Sequence, residues 1–352
     1  MYDIVIIGAG PAGSNLARLI SDKYKVLLID KRDMENENPK NTKRKCCGGL
    51  LAPNAQKMIA KLGLSLPKDI LVNPQIFAVR TIDITNNIER LYQRFYLNFD
   101  RDKFDKWLVS LVSEKVDKKF NTLFRDFTKI PEGYEVRYLN NGRKESIKTR
   151  IIIGADGAHS LVRNHISKGI NIPKEYIAIQ EWFECKDPMP YYGAIFDEEI
   201  TDFYSWTIPK DDYIILGSAL RPKENTLEKF EKLKSKLKDY GFNFQNKIAT
   251  EGAHIYRPMK TSNFYVGDDN IALIGEAAGA ISPSSAQGIS YALRTSLHLA
   301  QSLEEGTEGF IERYKKNAKD IKGNLMIKKL KSPAMYQPFV RQMAMKSGFQ
   351  SI

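Results

Sequence analysis

Residues 3–20 read DIVIIGAGPAGSNLARLI. An apolar run, Ile4 to Ile7, passes into Gly8-x-Gly10-x-x-Gly13 and then into a helical apolar period. A second apolar strand, Lys25 to Ile29, follows and ends at Asp30. Strand, glycine turn, helix, strand and terminal acid in this order open a doubly wound α/β sheet. The glycines permit a tight turn, so the backbone around Ala12 can approach a pyrophosphate at the helix N-terminus, where amides and dipole favour an anion. Asp30 is placed to accept hydrogen bonds from ribose hydroxyls. The stretch predicts a dinucleotide site.

Three later segments fit the same unit. IIIGADGAHSLVR (151–163) is a buried strand followed by Asp156-Gly157-x-x-Ser160-x-x-Arg163. NIALIGEAAGAISPSSAQGISYAL (270–293) is a strand, then Gly275-Glu276, then a helix expected from about Ala286. NFDRDKFDKWL (98–108) puts Arg101 at a helix start, with Phe104, Trp107, Leu108 and Leu111 on one face. Between these segments the texture changes to short alternating strands. Residues 74–99 carry two strands around Asn86-Asn87, and 172–258 carry several more plus a helix from Leu227 to Tyr240, ended by Gly241. Leu227, Phe230, Leu233 and Leu237 form that helix's packing stripe. The expected organisation is a discontinuous nucleotide-binding domain (1–73, 100–171 and 259–310), an antiparallel-sheet substrate domain (74–99 and 172–258) and a basic helical tail (311–352).

KCCGGLLAPNAQ (45–56) follows a polar loop (30–44) and precedes a helix expected from Asn54. Adjacent cysteines close only a strained ring, which argues against a dithiol pair. No second cysteine pair exists, and the four histidines (159, 165, 254 and 298) are scattered along the chain, so a metal is not expected. Paired glycines instead let a backbone lie against a planar ligand. Cys185 reads as a small apolar residue of the inserted sheet.

Taken together, these motifs resemble the glutathione-reductase-type flavoproteins, in the branch of aromatic hydroxylases, halogenases and geranylgeranyl reductases. The resemblance implies a Rossmann-like FAD-binding domain and FAD as cofactor. It implies that Asp156 and Arg101 lie against FAD, and that Gly275-Glu276 meets the ribityl chain. Glu276 stands where aspartate is usual, and its extra methylene still lets an oxygen reach the hydroxyls. The amides of Gly288 and Ile289 would then face the flavin pyrimidine, where the reduced ring carries negative charge. Cys47-Gly48-Gly49 is similar to the CGG element of geranylgeranyl reductases, which passes beside the isoalloxazine, and makes Cys47 the candidate proton donor. Tyr204-x-Trp206-x-Ile208-Pro209 is similar to their YxWxFP substrate-cavity motif, with Phe183 and Phe196 as further wall candidates. CGGLLAPNAQ, YQRFYLNF, AIQEWF and YSWTIP resemble one bacterial branch, the CbrA-type flavoproteins.

The resemblance implies a reductase that passes a hydride from flavin N5 to a C=C bond of an apolar, isoprenoid-like or lipid substrate. The alternative is a monooxygenase that hydroxylates a small or aromatic substrate through a C4a-hydroperoxide. Halogenation and a ligand-carrying flavoprotein without turnover are further readings; YSWTIP is one residue from the halogenase WxWxIP, but no halogenase lysine can be placed. A single GxGxxG leaves no separate nicotinamide domain, so the electron donor is either NAD(P)H bound transiently or a ferredoxin.

Charge bears on partners. Lys plus Arg exceed Asp plus Glu by 54 − 42 = +12. From Arg313 onward there are ten basic residues and one acid, Asp320. Such a tail suits an anionic membrane surface or an acidic electron-transfer protein such as ferredoxin; nucleic acid is not expected, since no binding motif accompanies the charge. Three cysteines without framework spacing point to a reducing compartment. The N-terminal strand leaves no room for a signal peptide, and no apolar run nears the roughly 18 residues of a membrane span. The expectation is a cytoplasmic protein, peripheral to the inner face of the membrane through its tail.

Overall fold

The computed structural model describes residues 1–35, 45–169, 171–187 and 189–348. Most of the polar loop after Asp30 (36–44) and the last four tail residues lie outside the described residues.

Two eight-stranded sheets organise the chain. In the first, Ile271–Leu273, Arg143–Gly154, Tyr2–Ile7, Val26–Ile29 and Asp117–Lys119 run parallel in that spatial order. Ile4, Val5 and Ile6 are fully buried, because helices or a hairpin cover both faces; such strands read as unbroken apolar runs. Helices Pro11–Ile20 and Ile289–Glu304 pack side by side on one face, joined by Asn15 Nδ2 donating to Ser296 Oγ at 2.7 Å. The latter helix starts at Ile289 rather than near Ala286, since Ala286 has φ +49° and cannot continue a right-handed turn.

The second sheet runs Lys247–Arg257, Lys174–Glu184, Tyr213–Leu220, Ser205–Lys210, Tyr192–Phe196, Ile76–Asp83, Ile88–Asn98 and Leu50–Leu51. Every pairing is antiparallel except Ile76–Asp83 with Tyr192–Phe196, where two distant chain segments meet in parallel. Helix Thr226–Leu237 covers one face through Phe230, Leu233 and Leu237. A short 3₁₀ turn carries it on to Tyr240, and Gly241, at φ +85°, stops it. Leu227 leaves the expected stripe: it sits in the first turn and is 71% exposed.

Residues 310–346 form four helices: Phe310–Asn317, Lys319–Lys331, Pro333–Tyr336 and Pro338–Lys346. The segment is helical and basic, yet it is not a solvated appendage. Buried Tyr314 donates to Leu273 O at 3.0 Å, inside the first sheet. Tyr336 donates to Ser284 O at 2.6 Å, and Arg341 grips Asp83 of the second sheet at 2.7 and 2.9 Å. The tail is a strap across both sheets. Among the described residues no helix is long and apolar enough to cross a membrane.

Candidate functional site

The glycine turn closes against two other motifs. A Cβ at Gly13 would stand 1.9 Å from Gly8 O, and one at Gly8, where φ is +109°, would stand 2.4 Å from Ala155 O. Gly275, φ +60°, faces Ala12 at 3.0 Å in the same sense. Glycine at 8 and 13 is therefore required by backbone contact, and glycine at 275 by its positive φ and the nearby Ala12 methyl. Gly10 is different: nothing lies within 4 Å of its Cβ position, and it begins helix Pro11–Ile20 without a side-chain cap. An open, uncapped helix N-terminus flanked by glycines fits a pyrophosphate. The residues present accommodate the dinucleotide that the sequence predicts.

Asp30 ends the second strand, and its carboxylate also holds the turn: Ala9 N–H donates to it at 2.7 Å and Arg32 N–H at 2.8 Å. Arg32 continues to Asp105 at 2.8 Å, and Arg101 reaches the same carboxylate at 2.8 Å. Burial alone would raise the Asp105 carboxyl, but Arg101, Arg32 and Lys45 outweigh it and hold it at about 2. Asp100 caps the helix, accepting from the amides of Asp102 and Lys103. Arg101 is thereby locked at the first helical position, with Nη1 3.3 Å from Cys47 Sγ.

Glu276 accepts from the Tyr256 amide at 2.9 Å, and burial raises its carboxyl. Asp156 departs from a purely ligand-facing role. Its carboxylate accepts from Ser160 Oγ at 2.5 Å and Leu161 N at 2.8 Å, capping helix Leu161–Ser167. Fully buried Arg163 donates to Ala277 O, Asn171 O and Asn263 O at 2.8–3.0 Å. Much of the Asp156-to-Arg163 motif thus serves to tie the strand end to the Gly275–Ala278 turn. Helix Ile289–Glu304 begins at Gly288 with no side-chain cap, leaving its N-terminal end available to negative charge.

The Cys47–Gly49 loop joins the two sheets. A Cβ at Gly48 would lie 2.4 Å from Ile208 Cδ1; one at Gly49, φ +59°, would lie 2.3 Å from Phe99 O and 2.5 Å from Lys210 Nζ. Lys210 was not singled out by sequence. It is buried and donates to Gly49 O (3.0 Å), Phe99 O (2.8 Å) and Asn98 Oδ1 (2.6 Å). Burial pulls its ammonium down to about 7, yet three oxygen acceptors require three N–H donors, which only the charged form supplies. Its place at the last residue of strand Ser205–Lys210, after alternating inward residues, was the available signal.

Tyr204, Trp206 and Ile208 lie on one face of the second sheet, next to that loop. Tyr204 Oη donates to Ser285 O at 2.9 Å, and its ring is 5.5 Å from Trp206. Trp206 lies flat over its cross-strand partner Gly217, where a Cβ would come within 2.3 Å of the indole. Pro209 O accepts from Asn98 Nδ2 at 2.8 Å, which ties down the strand end. Tyr96, Tyr192 and Tyr336 extend the aromatic wall; burial pushes the Tyr192 and Tyr204 phenols up. Phe196 joins it against Tyr336 at 5.8 Å. Phe183 does not: strand alternation turns it to the opposite face, against Phe244 at 5.1 Å under helix Thr226–Leu237. Cys46 packs beside the wall and burial raises its thiol; Cys185 is half-buried at the margin of the core under that helix.

A glycine turn that fits a pyrophosphate, an acid closing the second strand and a second uncapped helix end suit a dinucleotide cofactor, and the family match makes the protein an FAD-dependent oxidoreductase. An FAD binding domain family matches residues 1–326, and the chain belongs to that family. Protein CbrA of Escherichia coli O6:H1 is 40% identical over 351 residues, covering 100% of this chain and 94% of CbrA. Two solved structures share the fold at lower identity. A geranylgeranyl bacteriochlorophyll reductase-like protein from Thermoplasma acidophilum gives a TM-score of 0.72 at 17% identity, covering 97% of this chain and 98% of its own. PqsL of Pseudomonas aeruginosa, a probable FAD-dependent monooxygenase, gives 0.70 at 16%, covering 99% and 100%.

Proposed function

We propose that this flavoprotein is a reductase that saturates a C=C bond of an apolar, isoprenoid-like substrate lying against the aromatic wall near the Cys47–Gly49 loop. The observation that carries this reading is the apolar, aromatic face of Tyr204, Trp206 and Ile208, against which the Cys47–Gly49 loop packs with no side chain at Gly48. Bound and reduced FAD supplies the hydride. The chain's own part is to hold Asp30, Glu276 and the 288–289 amides against the cofactor, to exclude water with the aromatic wall, and to deliver a proton. Cys47 Sγ is the donor in this reading: it is half-buried and positioned by Arg101, whose Nη1 lies 3.3 Å away. Hydride and proton together complete the saturation, and the thiol regains its proton from solvent.

The donor of electrons is NAD(P)H or an acidic ferredoxin, the latter favoured by the +12 balance. The test is anaerobic: dithionite-reduced holoprotein is mixed with a polyprenol, and both flavin reoxidation and product mass are followed. Reoxidation with a gain of two hydrogens supports the reductase. Absence of turnover there, together with rapid, substrate-dependent oxygen consumption in a parallel aerobic assay, would replace it with the monooxygenase reading, the second chemistry this fold accommodates. Cys47→Ser should slow formation of the saturated lipid at least tenfold while leaving flavin reduction by the donor unchanged.

A further inference from the structure

Two histidines far apart in sequence converge on one carboxylate. His159 follows Asp156-Gly157 in a turn where its own φ is +58°. Glu175 begins the second sheet's strand Lys174–Glu184, and His254 lies on its neighbour Lys247–Arg257. The register opposes Glu175 to Tyr256 and Ile177 to His254, so Glu175 and His254 are diagonal neighbours on the same face. His159 Nε2 and His254 Nδ1 both contact Glu175 Oε1, and the imidazole centroids are 3.9 Å apart. One nitrogen or oxygen from each residue lies within 4.8 Å of the others.

The three groups thus share a single point on the surface. Two imidazole nitrogens and a carboxylate oxygen are a donor set suited to a borderline transition metal, and they leave coordination positions for water. Exposure fits that stoichiometry: 49% for each histidine and 31% for the glutamate leave the outer side open.

We propose that His159, Glu175 and His254 form a site for one divalent transition metal, with Zn²⁺ its simplest occupant, which staples the turn after Gly157 to the second sheet. The ligands come from both structural units, so an occupied site would restrain their junction. Tyr256 connects it to the cofactor motifs, with its ring 6.3 Å from His159 and its amide on Glu276. This inference stands apart from the identity of the substrate.

The test is titration of tag-free, FAD-loaded protein with Zn²⁺ against a chromogenic chelator, followed by thermal unfolding with and without the ion. One equivalent bound at micromolar affinity or tighter, with a raised Tm, is expected. His254→Gln and His159→Gln should each weaken binding at least tenfold while FAD content and far-UV dichroism stay unchanged. Co²⁺ should give a visible spectrum that His254→Gln abolishes. Substoichiometric binding, or equal affinity in both variants, overturns the site. If one variant fails to fold, the other together with Glu175→Gln decides it.

Discussion

Arg341→Met should cost the protein about 3–5 kcal/mol, because it leaves a buried carboxylate without its cation. Asp83 is fully buried and Arg341 is 2% exposed, and the two meet through paired contacts of 2.7 and 2.9 Å. Without the guanidinium, Asp83 keeps only the backbone N–H and side-chain amide of Asn86, at 3.2 and 2.7 Å. Arg341 also donates to Met335 O at 2.8 Å and lies over the Phe196 ring at 5.0 Å, so the strap's last helix loses its anchor as well. The assay is urea unfolding of the holoprotein for wild type, Arg341→Met, Asp83→Leu and the double variant. The double variant should recover most of the loss, since an apolar pair avoids the desolvation that a lone ion cannot. A loss below about 1 kcal/mol for Arg341→Met, with the two changes additive, would refute the claim that this pair ties the tail down.

Other consequences can be checked on the same material. Lys210→Met strips the donor from three oxygens and should lower stability by about 2–4 kcal/mol, read as a fall in Tm that Lys210→Arg does not fully restore. Asp105, held at about 2 against an unfolded value near 3.9, contributes about 2–3 kcal/mol above pH ~4. That contribution should be lost as pH falls toward 2, and Asp105→Asn should flatten the acid limb of a stability–pH curve. Gly13→Ala drives a methyl to 1.9 Å from Gly8 O and should abolish FAD retention, measured as the flavin-to-protein absorbance ratio after gel filtration; a stoichiometric flavin complex would contradict the fitted turn.

The doubly wound sheet was legible because its strands are buried on both faces and announce themselves as apolar runs ending in glycine or acid. The aromatic wall was legible in part. Tyr204 and Trp206 share a face as period-two spacing requires, but Phe183 was assigned to that face without a register, and alternation along its own strand excludes it. The histidine–glutamate cluster was invisible for a related reason: spacings of 95 residues in sequence carry no distance until the strands Lys174–Glu184 and Lys247–Arg257 are paired. Lys210 hid behind the ordinary expectation that lysine is solvated. The tail's ten positive charges were plain, whereas its three anchors, Tyr314, Tyr336 and Arg341, look like any other residues of an amphipathic helix.

The order of strands in the first sheet has a consequence for how the chain is born. Tyr2–Ile7 sits at the sheet's centre, yet its neighbour Arg143–Gly154 and the next strand, Ile271–Leu273, are made much later. At roughly 5–20 residues per second, a ribosome needs about 15–55 s between the first strand and the third. Through that interval the sheet is incomplete: Tyr2–Ile7 waits for Arg143–Gly154, which in turn waits for Ile271–Leu273. Nascent chains stalled before residue 271 should therefore be avid clients of holdase chaperones, and release from them should coincide with synthesis of the strand that bears Gly275 and Glu276 at its end.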